Sequence, residues 1–181
     1  MKVLTVTGYK SMELNLFQES DPRIKFIKGA IKKRLIPFLE EGVEWVIVSG
    51  QMGVEMWAAE VVLKLQDVYP IQLGIIPPFR NQDARWPDSL KAKYHHLLQA
   101  CDFTQPIYED DYKGPYQFQA KNKWFVSKSD GCLILMDEEF PGSNRFFYRE
   151  AKRAAEAGDY NIYLITPFDV EDVVNEMRDE Y

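Results

Sequence analysis

The chain reads as a single α/β domain, a doubly wound and mostly parallel sheet with helices on both faces. Three observations predict it. Short apolar runs alternate with longer stretches of helical periodicity from end to end. Several of those runs are apolar at nearly every position, as strands covered on both faces are. The 181 residues match one ordinary domain with a full core rather than two.

Residues 2–7 (KVLTVT) form the first predicted strand, followed by a long loop over residues 8–20. Asp21-Pro22 is a helix start, a capping residue followed by a proline at the first helical position. Ile24, Ile27, Ile31, Leu35 and Leu39 then fall on one helical face, and Gly42 suits the stop. Residues 44–49 (EWVIVS) are the second strand. Val54, Ala58, Val61 and Leu65 stripe the second helix. Residues 71–76 (IQLGII) are the third strand, and Pro87-Asp88 opens a helix reaching about Ala100. A weaker strand falls near residues 102–107, then a long loop over 108–114 and a helix over 115–129. The run GCLILM, residues 131–136, is a strong strand. A helix over 144–157 closes at Gly158, a strand covers 161–165, and Asp169 caps a final helix over 170–180. Such alternation implies right-handed crossovers.

Composition narrows the function classes. Hydrophobic residues at 46% and charged residues at 28% are globular values, which exclude a disordered chain. Twenty-two basic against 28 acidic residues give a net charge of −6, which speaks against a general nucleic-acid binder. Cys101 and Cys132 make neither a disulfide scaffold nor a C-x-x-C zinc pattern and read as reduced thiols. The longest apolar run, Cys132 to Met136, is far short of the roughly 20 residues that span a bilayer. Gly8-Tyr9-Lys10 interrupts any signal-peptide core. The expectation is a cytoplasmic protein with no membrane insertion.

In an open parallel sheet, ligands bind at the carboxyl ends of the strands. Gly8 ends the first strand. Ser49-Gly50-Gln51-Met52-Gly53-Val54-Glu55 joins the second to its helix. Glycine lets backbone amides approach a ligand, and a helix N-terminus favours an anion, most often a phosphate. The segment is neither G-x-G-x-x-G nor a Walker A loop. It reads either as a phosphate seat or as a tight turn that needs glycine for sterics. Glu55 is either a dipole-favoured surface acid or a ligand contact. Phe79, Arg80 and Gln82, with Asn81 and Trp86, combine flat surfaces and edge partners that suit a nucleobase or ribose. They equally suit a polar loop anchored by its aromatics. Gly142, Ser143, Asn144 and Arg145 offer a second set of amides, or an ordinary helix start.

Other features point less clearly. His95 and His96 are adjacent, so they diverge by about 100° on a helix and make no metal pair. No Ser-His-Asp set and no G-x-S-x-G is present. Glu109, Asp110 and Asp111 read as a solvated loop, and Lys25, Lys28, Lys32 and Lys33 as a solvated face. No catalytic residue and no metal ligand is assigned. Tyr9, Phe17, Tyr112 and Tyr116 are aromatics in long loops that suit an interface.

The segments LTVTGYK, SGQMGVEMWAAE, PPFRNQDARWP and PGSNRFFYREA together resemble the YpsA family, over essentially the whole chain. That family is more distantly similar to the SLOG superfamily, with the DNA-processing protein DprA and the Lonely Guy phosphoribohydrolases. The resemblance implies a single Rossmann-like nucleotide-binding domain over residues 1–181. It implies NAD or an ADP-ribose-like ligand, and a regulatory role near bacterial cell division with a protein partner there. The family's glycine-rich motif falls on Ser49, Gly50, Gln51, Gly53 and Glu55, with Trp57 following. The Lonely Guy motif P-G-G-x-G-T-x-x-E is matched at Pro141 and Gly142, but its glutamate position falls on Arg149, one residue before Glu150. A one-residue slip turns a helical side chain by about 100°, which removes the phosphoribohydrolase acid.

Three functions follow as rivals. The first is a nucleotide-binding regulator or sensor. The second is a hydrolase of a nucleotide N-glycosidic bond with Glu55 as base or cation stabiliser. The third is a single-stranded DNA-binding module using Lys121, Lys123, Trp124 and Lys128.

Overall fold

A computed structural model describes residues 1–179. Its six strands are β1 (Val3–Gly8), β2 (Trp45–Val48), β3 (Gln72–Ile75), β4 (Phe103–Thr104), β5 (Gly131–Leu135) and β6 (Asn161–Ile165). Its six α-helices are α1 (Arg23–Glu40), α2 (Val54–Leu65), α3 (Asp88–Ala100), α4 (Tyr116–Lys128), α5 (Asn144–Ala157) and α6 (Pro167–Asp179). The strands form one parallel sheet in the order β4-β3-β2-β1-β5-β6. The chain winds outward from β1 to β4, then returns to lay β5 on the other side of β1. The order reverses between β1 and β5, which is where an open sheet leaves a crevice.

Alternate side chains of each strand serve opposite faces. Leu4, Val6, Val46, Val48, Leu73, Ile75, Leu133 and Leu135 join the larger core cluster with α1, α2, α3 and α6. Ile47, Cys132 and Ile134 face a smaller cluster with Phe125 of α4 and Phe147 of α5. Alternation is invisible in the sequence because both faces are apolar. Burial also pushes the Cys132 thiol up to about 12, so the residue is an unreactive core side chain.

The strand over 161–165 and the helix over 144–157 form with the bounds the sequence implies. Three expectations are corrected. The weak strand near 102–107 is only Phe103–Thr104, an exposed edge pair. The loop over 8–20 contains a 3-10 turn, Ser11–Leu14, followed by Asn15 in the left-handed region (φ +54°). The last helix starts three residues early, at Pro167. There Thr166 is the cap: its hydroxyl receives the Asp169 N–H at 3.3 Å, and the Asp169 carboxylate receives the Thr166 N–H at 2.8 Å. This is a reciprocal capping box with proline at the first helical position. Residue 180 of the expected helix lies outside the described residues.

Candidate functional site: a two-chambered cleft between β1 and β5

Two glycines set the geometry at the carboxyl end of the sheet. Gly50 (φ +83°) and Gly53 (φ +101°) both occupy backbone conformations that favour glycine. A Cβ on Gly53 would fall 2.6 Å from Tyr9 O and Ser11 N, so the β1–α1 loop lies directly on the turn. Val54 N donates to Tyr9 O at 3.1 Å, Met56 N to Gln51 O at 3.2 Å and Trp57 N to Gly53 O at 3.0 Å. These amides at the start of α2 therefore have partners within the chain. A Cβ on Gly50 would fall 2.9 Å from the Tyr94 ring. The turn thus lets two backbones pack closely.

Glu55, in the first turn of α2, is buried at 6% exposure. One carboxylate oxygen, Oε1, accepts Ser49 N at 2.6 Å and Ser49 Oγ at 2.8 Å. The other, Oε2, has only Thr7 Oγ1 at 3.4 Å. The helix dipole favours the carboxylate there.

Two adjoining cavities open beside it. The inner one, about 260 Å³, is lined by Thr7 and Gly8 of β1, by Glu55, by Phe118, Lys121 and Asn122 of α4, and by Ser143, Asn144 and Phe147 at the start of α5. The outer one, about 470 Å³, is lined by Ser11, Phe79, Gln82, Trp86 and Leu90 among others. Lys10, Gln51 and Phe118 line both, so the two are chambers of one cleft.

Polar chemistry concentrates here. Among the described residues, five buried side-chain atoms lack a hydrogen-bond partner, Ser11 Oγ, Glu60 Oε1, Gln82 Oε1, Asn122 Oδ1 and Asn144 Nδ2, and of these Glu60 Oε1 is ion-paired with Lys93 Nζ at 2.9 Å. All but Glu60 Oε1 belong to residues lining the cleft. A buried polar atom without a partner carries a desolvation cost, and most such atoms in folded proteins are paired. The inner chamber offers a donor (Asn144 Nδ2), an acceptor (Asn122 Oδ1) and the Lys121 cation. The outer offers Gln82 Oε1, Ser11 Oγ and the rings of Phe79 and Trp86. Desolvation lowers the Lys121 pKa; Glu55 opposes the shift and Lys10 adds to it.

Of the residues singled out in the sequence, Gly8, Gln51, Glu55, Ser143 and Asn144 line the inner chamber. Gln51, Phe79 and Gln82 line the outer. Ser49 lies behind, holding Glu55 and accepting Gln82 Nε2 on its carbonyl at 2.7 Å. Gly50, Gly53 and Gly142 shape the surrounding turns. Arg80 bonds Asp111 at 3.0 Å, tying its loop to residues 108–114 rather than entering the cleft. Arg145 lies over the Phe146 ring at 4.5 Å and lines a separate surface groove. Trp57 is a core residue, fully buried.

Sequence reasoning missed Thr7, Lys10, Phe118, Asn122 and Phe147, and it placed Lys121 on a DNA-binding patch rather than in this cleft. The signal for α4 was present, since positions 118, 121 and 122 share one helical face. The grouping of Lys121 with Lys123, Trp124 and Lys128 as one patch is corrected. Lys121 lines the inner chamber, Lys123 and Lys128 are exposed, and Trp124 packs against the smaller core. Tyr9 makes contacts within the chain. Its hydroxyl accepts Asp137 N at 2.8 Å and donates to Phe140 O at 2.6 Å, bridging β1 to the loop after β5.

Known proteins resemble this chain along its length. A family model described as the YspA SLOG family (YpsA) matches residues 4–170. A UPF0398 protein of Oceanobacillus iheyensis is 60% identical over 178 residues, covering 98% of this chain and 96% of the relative. The UPF0398 protein YpsA of Bacillus subtilis is 43% identical over 177 residues, covering 97% and 98%. Among solved structures, DNA processing protein A of Helicobacter pylori, described for its single-stranded DNA binding mode, superposes with a TM-score of 0.56. It covers 98% of this chain and 81% of that one at 14% identity, a likeness of fold.

Proposed function

The chain belongs to the YpsA family of SLOG proteins, and from that premise we propose that it binds a nucleotide-type small molecule, NAD or an ADP-ribose-like ligand, in the cleft between β1 and β5. One observation carries this reading: among the described residues, the four buried side-chain polar atoms with neither hydrogen bond nor ion pair all belong to residues lining the two chambers. The cleft's place at the reversal of strand order supports it. So do the aromatic walls of the outer chamber, which suit a flat base.

Binding without turnover is the reading we favour. Glu55 is the one carboxylate lining the inner chamber among the described residues, and Ser49 holds its Oε1 from two sides. A regulator of this kind reports the state of its ligand to a protein partner. A partner in cell division rests on the family resemblance alone. Single-stranded DNA binding draws support from the fold of its neighbour, but a net charge of −6 and a dispersed lysine set weigh against it.

Calorimetric titration with NAD, ADP-ribose and AMP, each mixture then assayed for products, tests the proposal. Saturable binding with the ligand intact is the expected result. Product formation would replace the sensor with a hydrolase, and no heat with any of the three would remove the nucleotide reading.

A further inference from the structure

We propose that the inner chamber is the seat of the ligand's phosphate, held by Lys121 and the Asn144 side-chain amide, and that the start of α2 is not. This rests on the nucleotide reading above and assigns one part of the ligand to one chamber.

The argument runs by which groups already have partners. At the start of α2, the amides of Val54 and Met56 bond Tyr9 O and Gln51 O, and Trp57 N bonds Gly53 O, leaving Glu55 N alone of residues 54–57 without an acceptor among the described residues. The carboxylate of Glu55, in that first turn, would repel an anion there, whereas in the inner chamber, which it also lines, Lys10 and Lys121 outnumber it. At the start of α5, Ser143 N and Ser143 Oγ both donate to Glu13. Among the described residues, Lys121 makes no ion pair or hydrogen bond, and Asn144 Nδ2 has no partner although the residue is only 4% exposed. Lys121 and Asn144 line the same cavity beside the rings of Phe118 and Phe147.

Charge points the same way. Two lysines, Lys10 and Lys121, line this chamber against the one carboxylate of Glu55. A cation in apolar surroundings is costly unless an anion pairs with it, and a charge-assisted bond to phosphate is correspondingly strong. Size adds a limit. At about 260 Å³ the chamber is below the roughly 300 Å³ at which whole-ligand pockets begin. It takes one end of a nucleotide, leaving the base to the aromatic outer chamber across Phe118.

AMP and adenosine differ only in the phosphate, so their comparison by calorimetry is the test. The wild-type chain is expected to bind AMP at least about tenfold more tightly than adenosine. Lys121→Met is expected to abolish that preference while retaining adenosine binding. Lys121→Arg retains most of it, and Lys123→Met, on the exposed side of α4, retains all of it. Equal wild-type affinity for AMP and adenosine would overturn the phosphate seat and leave the nucleotide reading standing. A preference surviving in Lys121→Met would do the same. Failure of AMP, adenosine and ADP-ribose alike to bind the wild type would overturn both.

Discussion

Glu13 holds the start of α5 from 130 positions away in the sequence: its carboxylate accepts Ser143 N at 2.9 Å and Ser143 Oγ at 2.7 Å. The same carboxylate takes Lys10 N at 2.9 Å. The β1–α1 loop is thereby latched across the mouth of the cleft. Gly142, in the left-handed region at φ +59°, leaves the space that Glu13 enters.

The latch is acid-sensitive. Burial pushes the Glu13 pKa up, but the bonds from Lys10 N and from the hydroxyl and N–H of Ser143 outweigh it and hold it below the ordinary 4.5. A lowered carboxylate contributes stability that is full above its unfolded value and is lost as pH falls through the folded one. Amide exchange, corrected for its intrinsic pH dependence, is expected to show the loop over residues 10–15 protected at neutral pH and opening below about pH 4.5. Glu13→Ala opens the same loop at neutral pH, for a global loss of at most about 1 kcal/mol given its solvent exposure. Unchanged protection in that variant would mean the latch does not hold the loop.

Gly53→Ala is expected to destabilise the fold by about 2 kcal/mol or more. It adds a Cβ against the backbone of the β1–α1 loop at a φ of +101°. Urea denaturation measures it, and wild-type stability would refute the packing role. Loss of ligand binding in this variant therefore reports the turn's geometry rather than a ligand contact.

Glu55 is predicted to separate by substitution. Glu55→Ala removes the acceptor for Ser49 N and Ser49 Oγ, stranding a buried N–H, and should cost on the order of 2–4 kcal/mol with the cavity it leaves. Glu55→Gln keeps a carbonyl oxygen for the same donors and should cost about 1 kcal/mol. Equal losses in the two would show that charge, not hydrogen bonding, holds the residue.

Lys121→Met is expected to melt no lower than the wild type. Because desolvation lowers the Lys121 pKa, its charge opposes folding at neutral pH. That cost is relieved only as pH rises from the folded value towards the ordinary 10.5. A fall of several degrees in Tm would mean that the ammonium has a stabilising partner within the chain.

The sheet was legible because its strands are apolar runs bounded by helical stripes, and β6 and α5 emerge with the expected bounds. What was not legible follows from distance along the chain. The contact of Gly53 with Tyr9 and Ser11, and of Glu13 with Ser143, joins segments that no local pattern links. Lys121 illustrates the same limit. Its neighbours Lys123 and Lys128 suggest a surface stripe, yet one helical turn places it with Phe118 and Asn122 facing the cleft. Asp169 carries the stronger capping signal in the sequence, and in the structure it acts together with Thr166, three residues before it.

The most direct test of the cleft as a nucleotide site is titration of wild type and Asn144→Leu with ADP-ribose. Leucine keeps the branched shape of asparagine and removes an unpartnered buried amide beside an open chamber, so the variant should fold about as stably. The account predicts saturable binding by the wild type and affinity at least about tenfold weaker in Asn144→Leu. Equal affinity in a folded variant, or no binding by the wild type, would contradict it.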